Sequence, residues 1–421
     1  MRPSHFIRAF AAAFWLAHLF IAAAPVTQAA PKFSEKPKIR ALTAFVSLDR
    51  SRYREQISDA LAELHKLKAA FEQAGYEVQT LRISTQPFFR YTQGLSDEQT
   101  LAFFREYDSL AVKEGFDASI GPALLADTDD AHQAELLAKI LASSKTLEGT
   151  VVVAGDDGIH WKAIHAAAGV MKYLEDHTAH SQGNFSFAAT ALVPPGTPFY
   201  PASYYAGSGH EFALGMQSAN VIAEALAATA HNASAAQQAI EDALGPHASA
   251  VEAVAQREAA ATSWNYLGLD LSPAPLKEVS IGAAIENFTG QPLGSSGTLT
   301  AAALITRALR ALPVKRIGYS GLMLPVLEDS RIAKRWDEGR LSLDALLAYS
   351  SVCGTGIDVA PLPGDVTQDQ LARIIGDMAS LAVKLQKPLS VRLLPVAGKK
   401  AGDKTELADP FLVNATIRPL P

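Results

Sequence analysis

The feature that most constrains this chain is the alternation of short β-rich segments with long amphipathic segments along most of its 421 residues. The first β-rich segment, residues 39–46, is followed by a helical pattern over residues 53–75. Apolar residues recur there at helical spacing: Leu61, Leu64, Leu67 and Phe71. Strands and helices in alternation predict a largely parallel sheet, either open or closed into a barrel.

The same pattern predicts further strands along the rest of the chain. They lie at residues 77–83, 116–120, 150–154, 184–192, 211–216, 266–271, 314–319, 352–359, 389–394 and 411–417. Residues 219–263 break the alternation, because they are Ala-rich and helical with interruptions at Asn232, Gly245 and Pro246. We therefore expect one α/β barrel-like domain over residues 31–421, with an inserted helical hairpin at about 219–263. The hairpin is either scaffold or a subunit interface or lid, and a subunit interface would make the chain a homo-oligomer.

The first thirty residues have the pattern of a secretory signal peptide. Arg2 and Arg8 precede an apolar stretch, residues 9–24, and small residues suited to cleavage follow at 25–30. The apolar stretch is shorter than the roughly twenty residues that a membrane-spanning helix needs. We expect a periplasmic or secreted protein without a membrane segment after cleavage. The alternative is an uncleaved anchor.

Charge and cysteine content exclude two classes of protein. The chain has 37 Lys plus Arg and 43 Asp plus Glu, a net charge of −6, and loss of Arg2 and Arg8 with the signal segment would make it −8. Basic residues are scattered among acids, so nucleic acid is not an expected partner. A single cysteine forms no internal disulfide, and stability must come from a core for which 48% hydrophobic residues are ample.

That cysteine, Cys353, is the first candidate for chemistry. It lies in a Gly- and Pro-rich turn, where Gly354 and Gly356 permit close ligand approach. A reactive thiolate needs a cation, an imidazole or backbone N–H groups beside it, and every histidine lies at or before His247. Cys353 is therefore a nucleophile, a non-reacting pocket residue or an inert core residue, and the sequence leaves these alternatives open.

Carboxylates and small polar residues near predicted strand ends are further candidates. Asp358 and Asp365 lie on the same Gly-rich segment as Cys353, and Glu328 follows an apolar run. Each is either an acid–base or binding group or a turn residue, and Asp365 could also open the next helix, as Asp329 could cap the helix after it. Ser295 and Ser296, within a Gly-Ser-Ser-Gly-Thr segment before a helix, either bind an anion or cap the helix.

Two further patterns concern ligands. An aromatic cluster among prolines either lines a pocket for a small organic molecule or packs at the surface: Phe199, Tyr200, Tyr204 and Tyr205. The sequence has neither a His-Glu-x-x-His motif nor paired cysteines, and we expect no metal and no cofactor.

Five long segments together resemble one family. They are residues 184–189, 193–204, 318–329, 349–365 and 395–403. They are similar to the corresponding segments of domain of unknown function family 711, also called uncharacterised protein family 0210, over most of residues 38–421. The resemblance implies a fold similar to the ten-stranded α/β barrel of pyruvate formate-lyase-like enzymes. The C-terminal residues 414–421 lack the radical glycine motif of the glycyl radical enzymes with that barrel, so glycyl radical chemistry is not expected.

These patterns favour an exported enzyme that acts on a small molecule in a cavity formed by loops at strand ends. Cys353 would supply thiol chemistry, Asp358 and Glu328 proton transfer, and the N–H groups of Gly354 or Gly356 stabilisation of negative charge. The alternative is a periplasmic small-molecule binding protein without turnover. A third hypothesis is an interaction scaffold built on the Ala-rich hairpin.

Overall fold

A computed structural model describes residues 35–420. The predicted signal segment, residues 1–30, lies outside the described residues. The described chain is a mixed α/β fold in which a ten-stranded sheet is flanked by helices, so the predicted α/β class is confirmed. None of the helices within residues 35–420 is both long and apolar enough to cross a membrane.

The sheet consists of two groups of strands that run in opposite directions. Its strands are β1 (Lys38–Val46), β2 (Val78–Thr85), β3 (Asp117–Pro122), β4 (Leu147–Gly155), β5 (Gly158–Ile159), β6 (Phe187–Ala191), β7 (His210–Gln217), β8 (Asn265–Asp270), β9 (Gly356–Pro363) and β10 (Leu389–Val396). Their spatial order is β8-β7-β1-β2-β3-β4-β6-β10-β9, with β5 paired only to β4. Strands β1, β2, β3, β4 and β6 are parallel to one another, whereas β7 with β8 and β10 with β9 run antiparallel to them.

Helices connect the strands and cover one face of the sheet. They are α1 (Tyr53–Gln73), α2 (Phe88–Tyr91), α3 (Asp97–Glu114), α4 (His132–Ala142), α5 (Trp161–His177), α6 (Ala219–Ala227), α7 (Ala233–Ala261), α8 (Ile281–Thr289), α9 (Thr298–Ala311), α10 (Ser330–Asp337), α11 (Leu343–Ser350) and α12 (Gln368–Leu385). A 3-10 helix, Ala179–Ser186, occupies the start of the strand predicted at 184–192. Helices α1, α5, α7 and α12 pack directly on the sheet.

Alternation along the strands separates the two faces of the sheet. In β1, Leu42, Ala44 and Val46 belong to the large hydrophobic core shared with the helices. Phe45 belongs to a small cluster with Tyr205, and the Thr43 hydroxyl donates a hydrogen bond to the carbonyl of Pro198. Because neighbouring residues of a strand point to opposite faces, the second face of the sheet contacts the loop at residues 193–205.

A segment without regular strand structure lies against both end strands. Residues 314–319 are predicted to be a strand, but they make only an isolated bridge between Arg316 and Leu269 of β8. The N–H groups of Tyr319 and Ser320 instead donate to the buried carboxylate of Asp270, which takes the place of a strand partner. Farther along, the N–H of Val326 donates to the carbonyl of Asp358 in β9. The segment 314–327 therefore contacts the edges of both β8 and β9, which gives the open sheet a barrel-like form.

Two other sequence expectations differ from the structure. Residues 411–417 form no regular strand, although an isolated bridge joins Lys404 to Thr416 and backbone hydrogen bonds link residues 402–405 to residues 415–417. Helices α6 and α7 form the expected hairpin, with a break near Asn232, but α7 continues through Gly245 and Pro246. Leu244 and Ala248 are fully buried beside this proline, and their packing offsets the loss of one helical hydrogen bond.

Candidate functional site

A cavity lies on the face of the sheet that contacts residues 193–205. We call it the central cavity, and its volume is about 200 Å³. Strands β1, β2, β3, β4, β9 and β10 and the loops at 193–205 and 319–328 all contribute to its wall. The charged residues at its wall are Arg40, Arg82, Asp117, Lys145, Glu148, Glu328, Asp358, Arg392 and Asp409. A dense set of charged residues around one cavity is typical of a binding or catalytic site rather than of a structural core.

Arg40 reaches the cavity through a β-bulge. Strict alternation from Leu42 would place residue 40 on the helix-covered face, but the pairing of β1 with β7 shifts register between Ile39 and Ala41. Ile39 accordingly packs in the large core, and Arg40 turns to the cavity. Bulges commonly re-aim a side chain in this way beside functional sites.

Arg392 joins two of the predicted carboxylates. Its Nε lies 2.5 Å from Asp358 Oδ1 and its Nη2 lies 2.5 Å from Glu328 Oε1, and all three residues are buried. Burial disfavours its charge, yet Asp358 and Glu328 together hold the pKa of Arg392 above its usual value. Burial raises the pKa of Glu328, and the charge of Arg392 opposes that rise.

The backbone beside Asp358 is strained. The register of β9 against β10 shifts in this region, and Val359 has a φ of 52°, in the left-handed region that a β-branched residue rarely adopts. Val359 is buried in the helix-covered core, whereas Asp358 faces the cavity. The bulge therefore directs the carboxylate of Asp358 toward Arg392, and strain of this kind concentrates at functional sites.

The loop at residues 193–205 packs against the cavity-lining face of the sheet. Ser119 Oγ donates to the carbonyl of Ser203 at 2.5 Å, and the N–H of Tyr205 donates to the carbonyl of Thr85 at 3.0 Å. Phe199 and Tyr200 of this loop line the cavity. Two members of the predicted aromatic cluster thus match a pocket wall, whereas Tyr204 and Tyr205 do not line this cavity.

Glu148 of β4 is an acidic group at the cavity wall with a strongly raised pKa. Among the described residues its carboxylate has no hydrogen-bond or ion-pair partner, and the side chain is partly buried. Burial raises the pKa of Glu148 to about 8, although Arg82 lowers it, and the neighbouring carboxylate of Asp117 adds to the increase. Burial also raises the pKa of Asp117, against the opposing charges of Arg82 and Arg40. The cavity therefore holds a carboxyl group that changes protonation near neutral pH.

Cys353 does not line the central cavity. Its side chain is 1% exposed and packs in the large hydrophobic core. The turn that carries it is held by its own backbone, because its N–H donates to the carbonyl of Tyr349 and its carbonyl accepts from Lys387 Nζ. Of the three alternatives for Cys353, this location matches the core residue, and the predicted thiol reactivity stays a prediction.

Gly354 and Gly356 allow close backbone packing. A Cβ on Gly354 would lie 2.7 Å from the carbonyl carbon of Gly321, and the N–H of Gly354 already donates to Leu322. Gly356 has a φ of 105°, and a Cβ there would overlap the carbonyl oxygen of Ser390. Both glycines bring segments together beside the cavity, and the N–H of Gly354 is occupied by a protein acceptor.

The other predicted residues lie away from the cavity. Asp365 is exposed, and the helix after it begins at Gln368, with Thr367 as the cap residue in a capping box with Gln370. Ser295 and Ser296 precede α9, whose N-terminal cap is Gly297, so neither serine caps that helix. Their proposed role in binding stays a prediction. Asp329 caps α10, accepting from the N–H groups of Arg331 and Ile332.

Sequence reasoning missed seven charged residues of the cavity: Arg40, Arg82, Asp117, Lys145, Glu148, Arg392 and Asp409. A signal was present, since Arg82 lies between Leu81 and Ile83, and Arg392 lies between Val391 and Leu393. An arginine between two core residues marks the opposite face of the strand as polar. Within residues 35–420, no three His, Cys, Asp or Glu side chains converge as a metal site would require.

Comparisons with known proteins place the chain in a family. The family described as Uncharacterised ACR (DUF711) matches residues 33–408. The chain is 32% identical to the UPF0210 protein of Pyrobaculum aerophilum, with 84% of each chain covered. It is 28% identical to that of Syntrophobacter fumaroxidans over 78% of this chain and 77% of the relative. It is 25% identical to the UPF0210 protein of Listeria monocytogenes over 92% of this chain and 91% of the relative. The predicted family is confirmed, and this chain belongs to the DUF711 family, whose relatives carry the name UPF0210 protein.

Proposed function

We propose that this chain is an enzyme that acts on a small molecule in the central cavity and that Glu148 transfers a proton to or from it. The observation that carries the proposal is an unpaired, partly buried carboxyl group with a pKa near 8 at the wall of the central cavity. General acids and bases work best when their pKa lies near the working pH, so Glu148 suits either role.

The neighbouring groups suit support rather than proton transfer. Arg392 binds Asp358 and Glu328, and this arrangement fixes two carboxylates that the sequence predicted as acid–base groups. Tyr319 donates a hydrogen bond to Ser390 Oγ at 3.0 Å, and burial raises the pKa of Tyr319 well above its ordinary value. Its hydroxyl therefore stays protonated. Cys353 has no part in this chemistry, because it lies outside the cavity.

Deuterium exchange into a substrate would detect proton transfer whatever the overall reaction is. The full-length protein would be incubated in D₂O with a panel of small acids, amines, sugars and phosphorylated compounds, followed by proton NMR. We expect loss or change of a substrate signal with wild type and a rate at least about 100-fold lower with Glu148→Gln. The matched control is Glu98→Gln, an exposed residue at the start of α3, which should keep the wild-type rate.

An equal rate in wild type and Glu148→Gln would contradict the role of Glu148. Binding of a panel compound without any chemical change would favour the alternative function, a non-catalytic small-molecule binding protein. Such a protein would still use the charged cavity, because the wall geometry is the same for both functions.

We also propose that the protein acts outside the cytoplasm, on the basis of the N-terminal pattern of Arg2, Arg8 and the apolar stretch that follows. N-terminal sequencing of the mature protein tests this. A start near residue 31 is expected, and an intact N-terminus in the cytoplasmic fraction would contradict it.

A further inference from the structure

We infer that the molecule bound in the central cavity carries an oxyanion, a carboxylate or a phosphate group, and that Arg40 and Arg82 bind this group. The inference rests on the proposed function in that it names the substrate class for the same cavity. It depends on two buried guanidinium groups that lack an anionic partner.

Arg40 is a buried cation without a counter-ion. Its residue exposure is 6%, and among the described residues its side chain makes no hydrogen bond and no ion pair. The guanidinium carbon lies 4.7 Å from the centre of the Phe411 ring. Burial lowers the pKa of Arg40, and repulsion from Arg82 and Arg392 lowers it further against the attraction of Glu328 and Asp117. An unpaired buried charge is costly and is expected where a ligand supplies the partner.

Arg82 has the same arrangement on the neighbouring strand. It is 8% exposed, and its guanidinium carbon lies 4.6 Å from the centre of the Tyr200 ring. Its Nε donates to Thr80 Oγ1 at 3.1 Å, and its terminal nitrogens have no acceptor within the described chain. Both arginines therefore use an aromatic ring for their flat face and keep in-plane N–H donors for a ligand.

Arg392, the third buried arginine of the cavity, differs from Arg40 and Arg82 because its guanidinium group forms ion pairs. Arg392 also packs on a ring, that of Phe185 at 4.9 Å, but it has two carboxylates at 2.5 Å. Asp117 and Glu148 stand in the same cavity as Arg40 and Arg82, yet neither lies within 4.0 Å of a cationic nitrogen of the described residues. Among the described residues, Arg392 thus has carboxylate partners, whereas Arg40 and Arg82 have none.

The chemistry of the donors identifies the ligand class. Planar guanidinium forks match the oxygen spacing of carboxylate and phosphate groups and bind them through paired hydrogen bonds. The guanidinium groups of Arg40 and Arg82 would bind either the same oxyanion or two oxyanions. The carboxyl of Glu148, with its raised pKa, is largely protonated at neutral pH and does not repel such an anion. The volume of about 200 Å³ suits a small organic acid or phosphate ester.

Anion-dependent stabilisation tests the inference on the full-length protein. Thermal unfolding and calorimetric titration would use malonate, inorganic phosphate and, at equal ionic strength, sodium chloride. We expect malonate, phosphate or both to raise the unfolding temperature of wild type above the chloride value. Stabilisation by malonate alone identifies a carboxylate site, and stabilisation by phosphate alone identifies a phosphate site.

Arg40→Met and Arg82→Met should each weaken binding of the anion at least about tenfold, the size of one charge-assisted hydrogen bond. The control Arg373→Met, at an exposed position of α12, should bind as wild type does.

Stability without ligand separates a binding role from a structural role. Arg40→Met removes an unpaired buried charge, so without anion it should unfold at the wild-type temperature or above. A lower unfolding temperature or failure to fold would make Arg40 structural and overturn the inference. Equal stabilisation by chloride and by both anions would also overturn it. Glu148→Gln should keep anion binding while it loses turnover. The anion-binding inference is therefore tested by titration with anions, and the proposed proton transfer is tested separately by deuterium exchange.

Discussion

Arg40 and Arg392 lie at the same cavity wall, but their burial has opposite consequences for stability. Arg392 has two carboxylate partners and stabilises the fold only as long as all three charges are present. Arg40 has none among the described residues and is retained at a cost. Removing a cation from each position should therefore change stability in different directions.

Arg392→Met should lower the free energy of unfolding by about 3–5 kcal/mol at neutral pH, because it leaves two buried carboxylates without a partner. Urea denaturation would measure this, with Arg373→Met as the exposed control, for which less than about 0.5 kcal/mol is expected. The loss should shrink toward acid pH, because burial raises the pKa of Glu328 and its carboxylate then takes up a proton. A loss below about 1 kcal/mol at neutral pH would show that the ion pairs contribute little.

At the scale of elements, the position of each strand side chain depends on bulges. Without the register shift in β1, Arg40 would face the helices. The register shift in β9 lies beside Val359, whose left-handed backbone accompanies the orientation of Asp358 toward the cavity. The glycines Gly354 and Gly356 contribute at the same scale, because they let the turn before β9 pack against the backbone of Gly321 and of Ser390.

Gly354→Ala should destabilise the protein by about 1–3 kcal/mol, because the added methyl group would overlap immobile backbone atoms of Gly321. Gly376→Ala is the matched control. Gly376 lies inside α12, and a Cβ there would meet only Trp161 at an ordinary 3.7 Å, so it should gain up to about 1 kcal/mol of helix stability. Thermal unfolding would compare them. A stable Gly354→Ala would refute the packing role of this glycine.

The strands were largely predictable, because apolar alternation survives in the sequence, and Asp358 and Glu328 were found through their positions near strand ends. The segment 314–319 was not, since several of its N–H groups bond to partners far away in the sequence: the side chain of Glu252, the carbonyl of Leu269 and the side chain of Asp270. Arg82 and Glu148 were missed for a similar reason. A charged residue in a strand is normally solvated, and only the tertiary fold shows that the second face of this sheet is enclosed by residues 193–205.

At the scale of the whole molecule, the central cavity is assembled from segments distributed over nearly the entire chain. Strands from both directional groups supply its charges, the loop at 193–205 fills the adjacent space, and the segment at 314–327 contacts both end strands. The environment of Glu148 is therefore a property of the complete fold. Arg82 of β2, Asp117 of β3, Arg392 of β10 and Glu328 before α10 all influence its pKa.

The raised pKa of Glu148 makes the folded protein less stable as the pH increases. The carboxyl has a pKa of about 8 in the folded chain and an ordinary value of 4.5 when unfolded, so the folded state binds the proton more tightly. Its contribution is fully present below about pH 4.5 and is lost as the pH rises through about 8. Because the side chain is partly open to the cavity, we expect a loss of about 2 kcal/mol, which Glu148→Gln should abolish.

Titration of the Glu148 carboxyl by carbon-13 NMR, with Glu148→Gln to assign the signal, tests the functional role of the cavity most directly. A midpoint near pH 8, shifted further upward by a bound anion, is the expected result. A midpoint near the ordinary value of about 4.5 would show a solvated carboxylate and would contradict its role as the proton-transfer group.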